Sequence, residues 1–204
     1  MSRGDPMPQI DARTKVCAVF GHPVGHSLSP EMHNAAFEAL GLPFVYVAHE
    51  VPPGQVATAL AGVRAMGYRG LSITIPHKVT ALEAVDAVDD TARIIGCINT
   101  VVNDDGRLFG TNSDGLGALN ALREAGADPR GRSVLVLGSG GAARAIAVTL
   151  ARESPPATIR LLGIDAEERE RLAADVRSKG QSSVLSGELT EETLGQATAE
   201  ADIL

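Results

Sequence analysis

Three short stretches of this chain hold residue types that can do chemistry. In SITIPHK, residues 72–78, Ile73 and Ile75 alternate with the hydroxyls of Ser72 and Thr74, the period of a strand with one apolar face. Pro76 has no N–H and ends the ladder, so Lys78 stands just past a strand tip, where loops of alternating α/β proteins line ligand crevices. Taken alone, the stretch favours a plainer reading: a solvated lysine in the first turn of a helix begun by Pro76. The second stretch, VLVLGSGGAARA, residues 134–145, is an apolar strand running into glycines and then a small-residue helix. Gly138 allows a tight turn, Gly140 lets a pyrophosphate approach the backbone, and Ala143 permits close helix packing. Gly138, Ser139, Gly140, Gly141, Ala142 and Ala143 are therefore the candidate dinucleotide cradle at a helix N-terminus, against the alternative of a tight structural turn. The third is Asp165, at the end of TIRLLGI, where a dinucleotide fold places the acid that bonds the adenosine ribose. Asp165, Glu167 and Glu168 would repel a 2′-phosphate unless Arg169 or Arg160 swings in, which makes NAD the expected cofactor and NADP, or both, the alternative. Asp165 is equally suited to cap the helix AEERERLAADV.

The bulk of the chain narrows the classes that could hold these stretches. Its 204 residues are 44% hydrophobic and only 3% aromatic, with 22 Gly and 11 Pro, which suits sheets covered by small-residue helices. A formal net charge of -7, without a basic run, argues against nucleic acid as a partner. Cys17 and Cys97 lack C-x-x-C spacing and read as reduced core thiols of a cytoplasmic protein. The five histidines, His22, His26, His33, His49 and His77, lack the spacing of a metal motif, so no metal site is expected. No signal-peptide core and no apolar run of membrane-spanning length is present in the sequence.

Strand and helix patterns alternate along the chain. After a loose leader, 1–14, come VCAVFG, a helix from Pro30 to Leu40 capped by Ser29, FVYVAHE, a helix from Gln55 to Met66, and GLSITI, an order that implies a parallel sheet. A helical stretch from Lys78 towards Asp86 and another from Asp89 to Ile95 follow. TVVN and LFGTN then form a hairpin about Asp104-Asp105-Gly106-Arg107. A helix from Gly115 to Ala125 leads into a second alternation: SVLVLG, a helix from Gly141 to Glu153, TIRLLGI, a helix from Ala166 to Lys179, a short strand near Val184, and a helix from Thr190. The fold class is α/β: an N-terminal α/β substrate domain, 15–114, followed by a Rossmann-type dinucleotide-binding domain, 115–204. The last residues, Ala201 to Leu204, open a further strand, so the second domain reads as truncated.

HSLSPEMH (26–33), SITIPHK, GCINT (96–100) and GTNSDG (110–115), in this order and followed by GSGGAA, resemble the shikimate dehydrogenase family. The resemblance runs from about Val16 to the chain end. It implies that Ser27 and Ser29 hold a substrate carboxylate, that Thr74 and Asn99 bond ring hydroxyls, and that Lys78 and Asp114 form the catalytic pair, Asp114 also touching substrate. Two hydroxyls beside a helix N-terminus suit an anion. An ammonium and a carboxylate sharing one hydroxyl can move its proton as a hydride leaves for nicotinamide. The implied reaction is the reversible reduction of 3-dehydroshikimate to shikimate, in aromatic amino acid biosynthesis. A quinate/shikimate dehydrogenase using NAD is the close alternative, and a non-catalytic protein binding a shikimate-like metabolite is the alternative of another class. A small molecule is the expected partner, with neither nucleic acid nor membrane, in a monomer or homodimer.

Three departures from the family pattern stand out. Ser72 replaces a usual Asn, a shorter side chain expected to loosen a supporting contact. The Asn-Arg-Thr clamp of NADP-using members is absent at Gly163, Ile164, Asp165 and Glu168. The family's carboxyl-terminal portion reads as missing after Leu204.

Overall fold

The computed structural model describes residues 10–204, so residues 1–9 of the expected leader lie outside the described residues. The chain divides into two compact units, Met1–Asp89 with Ile98–Thr111, and Asp90–Cys97 with Asn112–Leu204. The change of unit after Thr111 comes three residues before the 114/115 boundary expected from sequence, and it assigns Asp114 to the second unit. The reason is local: the sheet ladder ends on the pair Thr100–Thr111, and the next side chain, Asn112, already bonds Cys97 of the second unit.

The first unit contains β1 (Lys15–Gly21), α1 (Ser29–Ala39), β2 (Phe44–Glu50), α2 (Val56–Met66), β3 (Gly70–Ile73), a 3-10 turn over Thr80–Ala84, β4 (Ala87–Val88), β5 (Thr100–Asp104) and β6 (Arg107–Thr111). The sheet order is β2-β1-β3-β5-β6-β4. It is mixed rather than parallel throughout: β1 runs parallel to β2 and β3, while β5 is antiparallel to both β3 and β6. Ile73 N–H donates to the Asn99 carbonyl at 2.7 Å, so β5 starts beside the tip of β3 and runs back along it. Asp105 and Gly106, with φ of 47° and 89°, then make the tight hairpin turn that the sequence predicts.

Two expected helix starts are corrected. Ser29 is the first residue of α1, and Leu28 takes the cap position without a side-chain bond. Ser27 supplies the acceptor instead, its Oγ taking the Ser29 N–H at 3.3 Å. The helix expected from Lys78 towards Asp86 shrinks to the 3-10 turn because the Lys78 carbonyl accepts from Ile98 N–H at 2.9 Å and is lost to a helical ladder. Pro76 likewise starts no helix.

The second unit holds α3 (Asp90–Ile95), α4 (Asp114–Glu124), β7 (Ser133–Leu137), α5 (Gly141–Glu153), β8 (Thr158–Gly163), α6 (Ala166–Lys179), β9 (Ser183–Glu188) and α7 (Glu191–Glu200). The strands are all parallel in the order β7-β8-β9, and Ile203 bridges Val134 in parallel. Ile159 and Leu161 of β8, Leu172 of α6, and Val148 and Leu150 of α5 are buried in one core. A Cβ on Gly115 would stand 2.5 Å from the Ala145 carbonyl oxygen, so only glycine lets α4 lie this close on α5.

Candidate functional site

In the first unit Thr74, Lys78 and Asn99 gather around the carboxyl end of β3. Thr74 N–H donates to the Phe20 carbonyl at 2.9 Å and His22 N–H to the Ile75 carbonyl at 2.9 Å, which lace the 74–75 segment to the end of β1. The turn that follows is closed by His77 N–H on the Thr74 carbonyl at 2.9 Å. It is anchored from below by the His77 ring, 1% exposed, whose Nε2 donates to the Val51 carbonyl at 2.7 Å. With Ile98 N–H on the Lys78 carbonyl, these bonds fix the backbone from which Thr74, Lys78 and Asn99 emerge. Thr100 Oγ1 donates to Asn99 Oδ1 at 2.9 Å, which fixes the orientation of the Asn99 amide. Ser27 closes a local turn after β1 with its N–H on the Val24 carbonyl at 3.0 Å. Ser27, Ser29, Thr74, Lys78 and Asn99 are each half-buried, the exposure of side chains that are held by the fold yet reachable by a ligand.

Two residues absent from the sequence expectations shape this region. Ser72 is held by the buried Tyr46, whose hydroxyl donates to Ser72 Oγ at 2.7 Å. Burial raises the Tyr46 pKa, so the hydroxyl keeps its proton. Gly21 closes β1, and a Cβ there would meet Thr74 Cγ2 at 2.4 Å. A glycine at the carboxyl end of a strand was the available signal for the second; for Tyr46 there was none, since its partner lies 26 residues away.

The second unit carries the nucleotide-type turn. Gly138 has φ of 96° and donates its N–H to the Leu162 carbonyl at 2.7 Å, so glycine is required there by backbone conformation. Gly140 differs: its φ is -71° and a Cβ would meet nothing within 4 Å. Neither conformation nor internal packing requires glycine at 140, and the space beside it at the N-terminus of α5 is open, as a pyrophosphate would need. Ala143 is buried under this turn. Ser139 Oγ donates to Glu168 at 3.2 Å. Asp165 caps α6, accepting the Glu168 N–H at 2.8 Å. The two arginines that could have met a 2′-phosphate have other partners: Arg169 bonds the Gly163 carbonyl at 2.9 Å and Ser186 Oγ at 3.2 Å, and Arg160 is paired with Glu200. Asp114, the first residue of α4, belongs to this unit, whereas Lys78 belongs to the first. Among the described residues no group of three or more His, Cys, Asp or Glu side chains is gathered as for a metal, and no helix is long and apolar enough to cross a membrane.

A mixed α/β unit with a hydroxyl- and amide-bearing strand tip, joined in one chain to a parallel unit with a glycine turn at a helix N-terminus, is a two-unit α/β class of protein. Comparison with known proteins agrees. Residues 19–101 match the shikimate dehydrogenase substrate binding domain. The chain is 53% identical over 147 residues to a shikimate dehydrogenase (NADP(+)) of Rubrobacter xylanophilus, covering 72% of this chain and 52% of that protein. It is 42% identical over 196 residues to the shikimate dehydrogenase (NADP(+)) of Methanopyrus kandleri, covering 96% of this chain and 67% of that protein. Its fold superposes with a TM-score of 0.80 on the crystal structure of shikimate 5-dehydrogenase from Listeria monocytogenes in complex with shikimate and NAD, at 34% identity, covering 95% of this chain and 68% of that one. The chain belongs to the shikimate dehydrogenase family. Its matches span about half to two thirds of the length of these relatives.

Proposed function

We propose that this chain carries the substrate site and the nicotinamide site of an enzyme that interconverts 3-dehydroshikimate and shikimate. The observation that supports this most is the laced backbone at the tip of β3, from which Thr74, Lys78 and Asn99 emerge together, in a chain whose relatives are shikimate dehydrogenases. Ser27 and Ser29 bind the carboxylate; Thr74 and Asn99 bond ring hydroxyls. Lys78 Nζ and the Asp114 carboxylate share the proton of the hydroxyl that becomes the ketone, and in reduction they return it to the developing alkoxide. Bound nicotinamide supplies the hydride acceptor or donor. Gly138 to Ala143 hold its pyrophosphate, with Asp165 at the adenosine ribose.

Of the two nicotinamide cofactors we propose NAD. Asp165 caps α6 just past β8, with Glu167 and Glu168 in the first turn, and Arg160 and Arg169 have other partners, so a 2′-phosphate would meet carboxylates whose neighbouring arginines are already engaged. The NADP(+) in the names of the Rubrobacter and Methanopyrus proteins favours a second reading, in which one of these arginines exchanges its partner for the phosphate. Steady-state rates with shikimate and with quinate, each with NAD and NADP, test the assignment. Shikimate with NAD is expected to be fastest. Faster turnover of quinate moves the chain to the quinate/shikimate reading, faster turnover with NADP reverses the cofactor choice, and binding without turnover favours a metabolite-binding protein.

A further inference from the structure

The segment that bears Asp114 is held by a chain of buried bonds that catalysis has not yet been asked to explain. Asn112, 3% exposed, accepts the Asp114 N–H on Oδ1 at 3.0 Å. Its amide group donates to the Cys97 carbonyl at 3.2 Å and to Cys97 Sγ at 3.3 Å. Cys97 is 0% exposed, and its thiol donates onward to the Gly141 carbonyl at 3.4 Å, in the first residue of α5. Ser113, at the cap position of α4, makes no capping bond with its side chain, so Asn112 carries that task from one residue earlier. A cap alone needs only the acceptor oxygen. The other end of the amide, buried on both atoms of Cys97, fixes the whole side chain and with it the place of the Asp114 backbone.

We propose that Asn112 is the positioning residue of Asp114, and that through Cys97 it ties the start of α4 to the glycine turn that opens α5. The substrate-handling carboxylate and the cofactor cradle are thereby held in one hydrogen-bonded piece of the second unit, so that they move as one. The inference rests on the reading of Asp114 as a catalytic group, and it adds a residue that itself touches neither substrate nor cofactor.

The test compares Asn112→Ala, Asn112→Ser and Asp114→Asn in the full chain, reading kcat and KM for shikimate oxidation and the hydrogen exchange of the Asp114 amide. Asn112→Ala is expected to lower kcat about tenfold with KM within about twofold, and to speed Asp114 amide exchange about tenfold. Asn112→Ser restores an acceptor for the Asp114 N–H but not the amide bonds to Cys97, so it is expected to recover slow Asp114 exchange while kcat stays lowered. Equal rates and equal exchange in Asn112→Ala and the unsubstituted chain overturn the proposal, as does a Ser variant whose kcat is fully native, which would show the Cys97 bonds to be idle. If Asn112→Ala does not fold, the Ser variant decides alone: slow exchange with a lowered kcat supports the proposal, and fast exchange or a native kcat overturns it. Absence of turnover in the unsubstituted chain, or full turnover in Asp114→Asn, counts against the dehydrogenase reading instead, and Asp114 amide exchange still decides the Asn112 link.

Discussion

Gly21 leaves the space that Thr74 occupies: a Cβ at 21 would lie 2.4 Å from Thr74 Cγ2. Gly21 ends β1 and Thr74 directly follows β3, the parallel strand beside it, and backbone bonds on both sides of Thr74 prevent the segment from stepping back. Gly21→Ala must therefore turn or displace the Thr74 side chain, and KM for shikimate is expected to rise about tenfold with a smaller change in kcat. Thr74→Ser removes the clashing methyl, so the double variant should recover substrate affinity relative to Gly21→Ala. A double variant as weak as the single one would show that the clash is not the cause.

Lys78 is half-buried on a backbone held by His77 and Ile98. Its removal leaves that backbone bonded as before, so Lys78→Ala should lower kcat about a hundredfold or more while calorimetry finds shikimate affinity within about threefold. An unchanged rate would return Lys78 to the role of a surface lysine.

Asp165 combines two tasks that substitution can separate. Asp165→Asn keeps an acceptor for the Glu168 N–H and removes the charge, so stability should hold while the ratio of kcat/KM for NADP over NAD rises about tenfold. Asp165→Ala should shift the ratio similarly and also cost about 1 kcal/mol, read as a lower midpoint in urea. A ratio unmoved by both variants would place cofactor choice elsewhere.

Asp86 sets part of the acid limit of the first unit. The Arg64 guanidinium, 2.6 Å away, holds the Asp86 carboxyl below its ordinary range, and the Leu108 N–H adds to this at 2.7 Å. A lowered pKa in the folded state means stabilisation that is present above the unfolded value of about 4 and fades as the pH falls through the folded one. Asp86→Asn should therefore lower the melting temperature near neutral pH and flatten its decline below about pH 4; a parallel decline in both proteins would contradict the assignment.

Much of this molecule was legible in its amino acids. The limits of α5 and α6, the hairpin about Asp105 and Gly106, the cap at Asp165 and the glycine turn at Gly138 all follow from interactions within a few residues: period, a missing N–H, a positive φ, a side chain reaching its own helix. The ordered motifs carried the family, because their residue types persist wherever the chemistry requires them. Only tertiary structure decided what depends on partners far away in the chain. Ile98 takes the Lys78 carbonyl and cancels a helix; Tyr46 holds Ser72; Asn112 reaches back to Cys97; Gly21 makes room for Thr74. None of these pairs has a signature in local sequence, since a hydrogen bond or a close approach across tens of residues exists only once the chain has brought the two groups together.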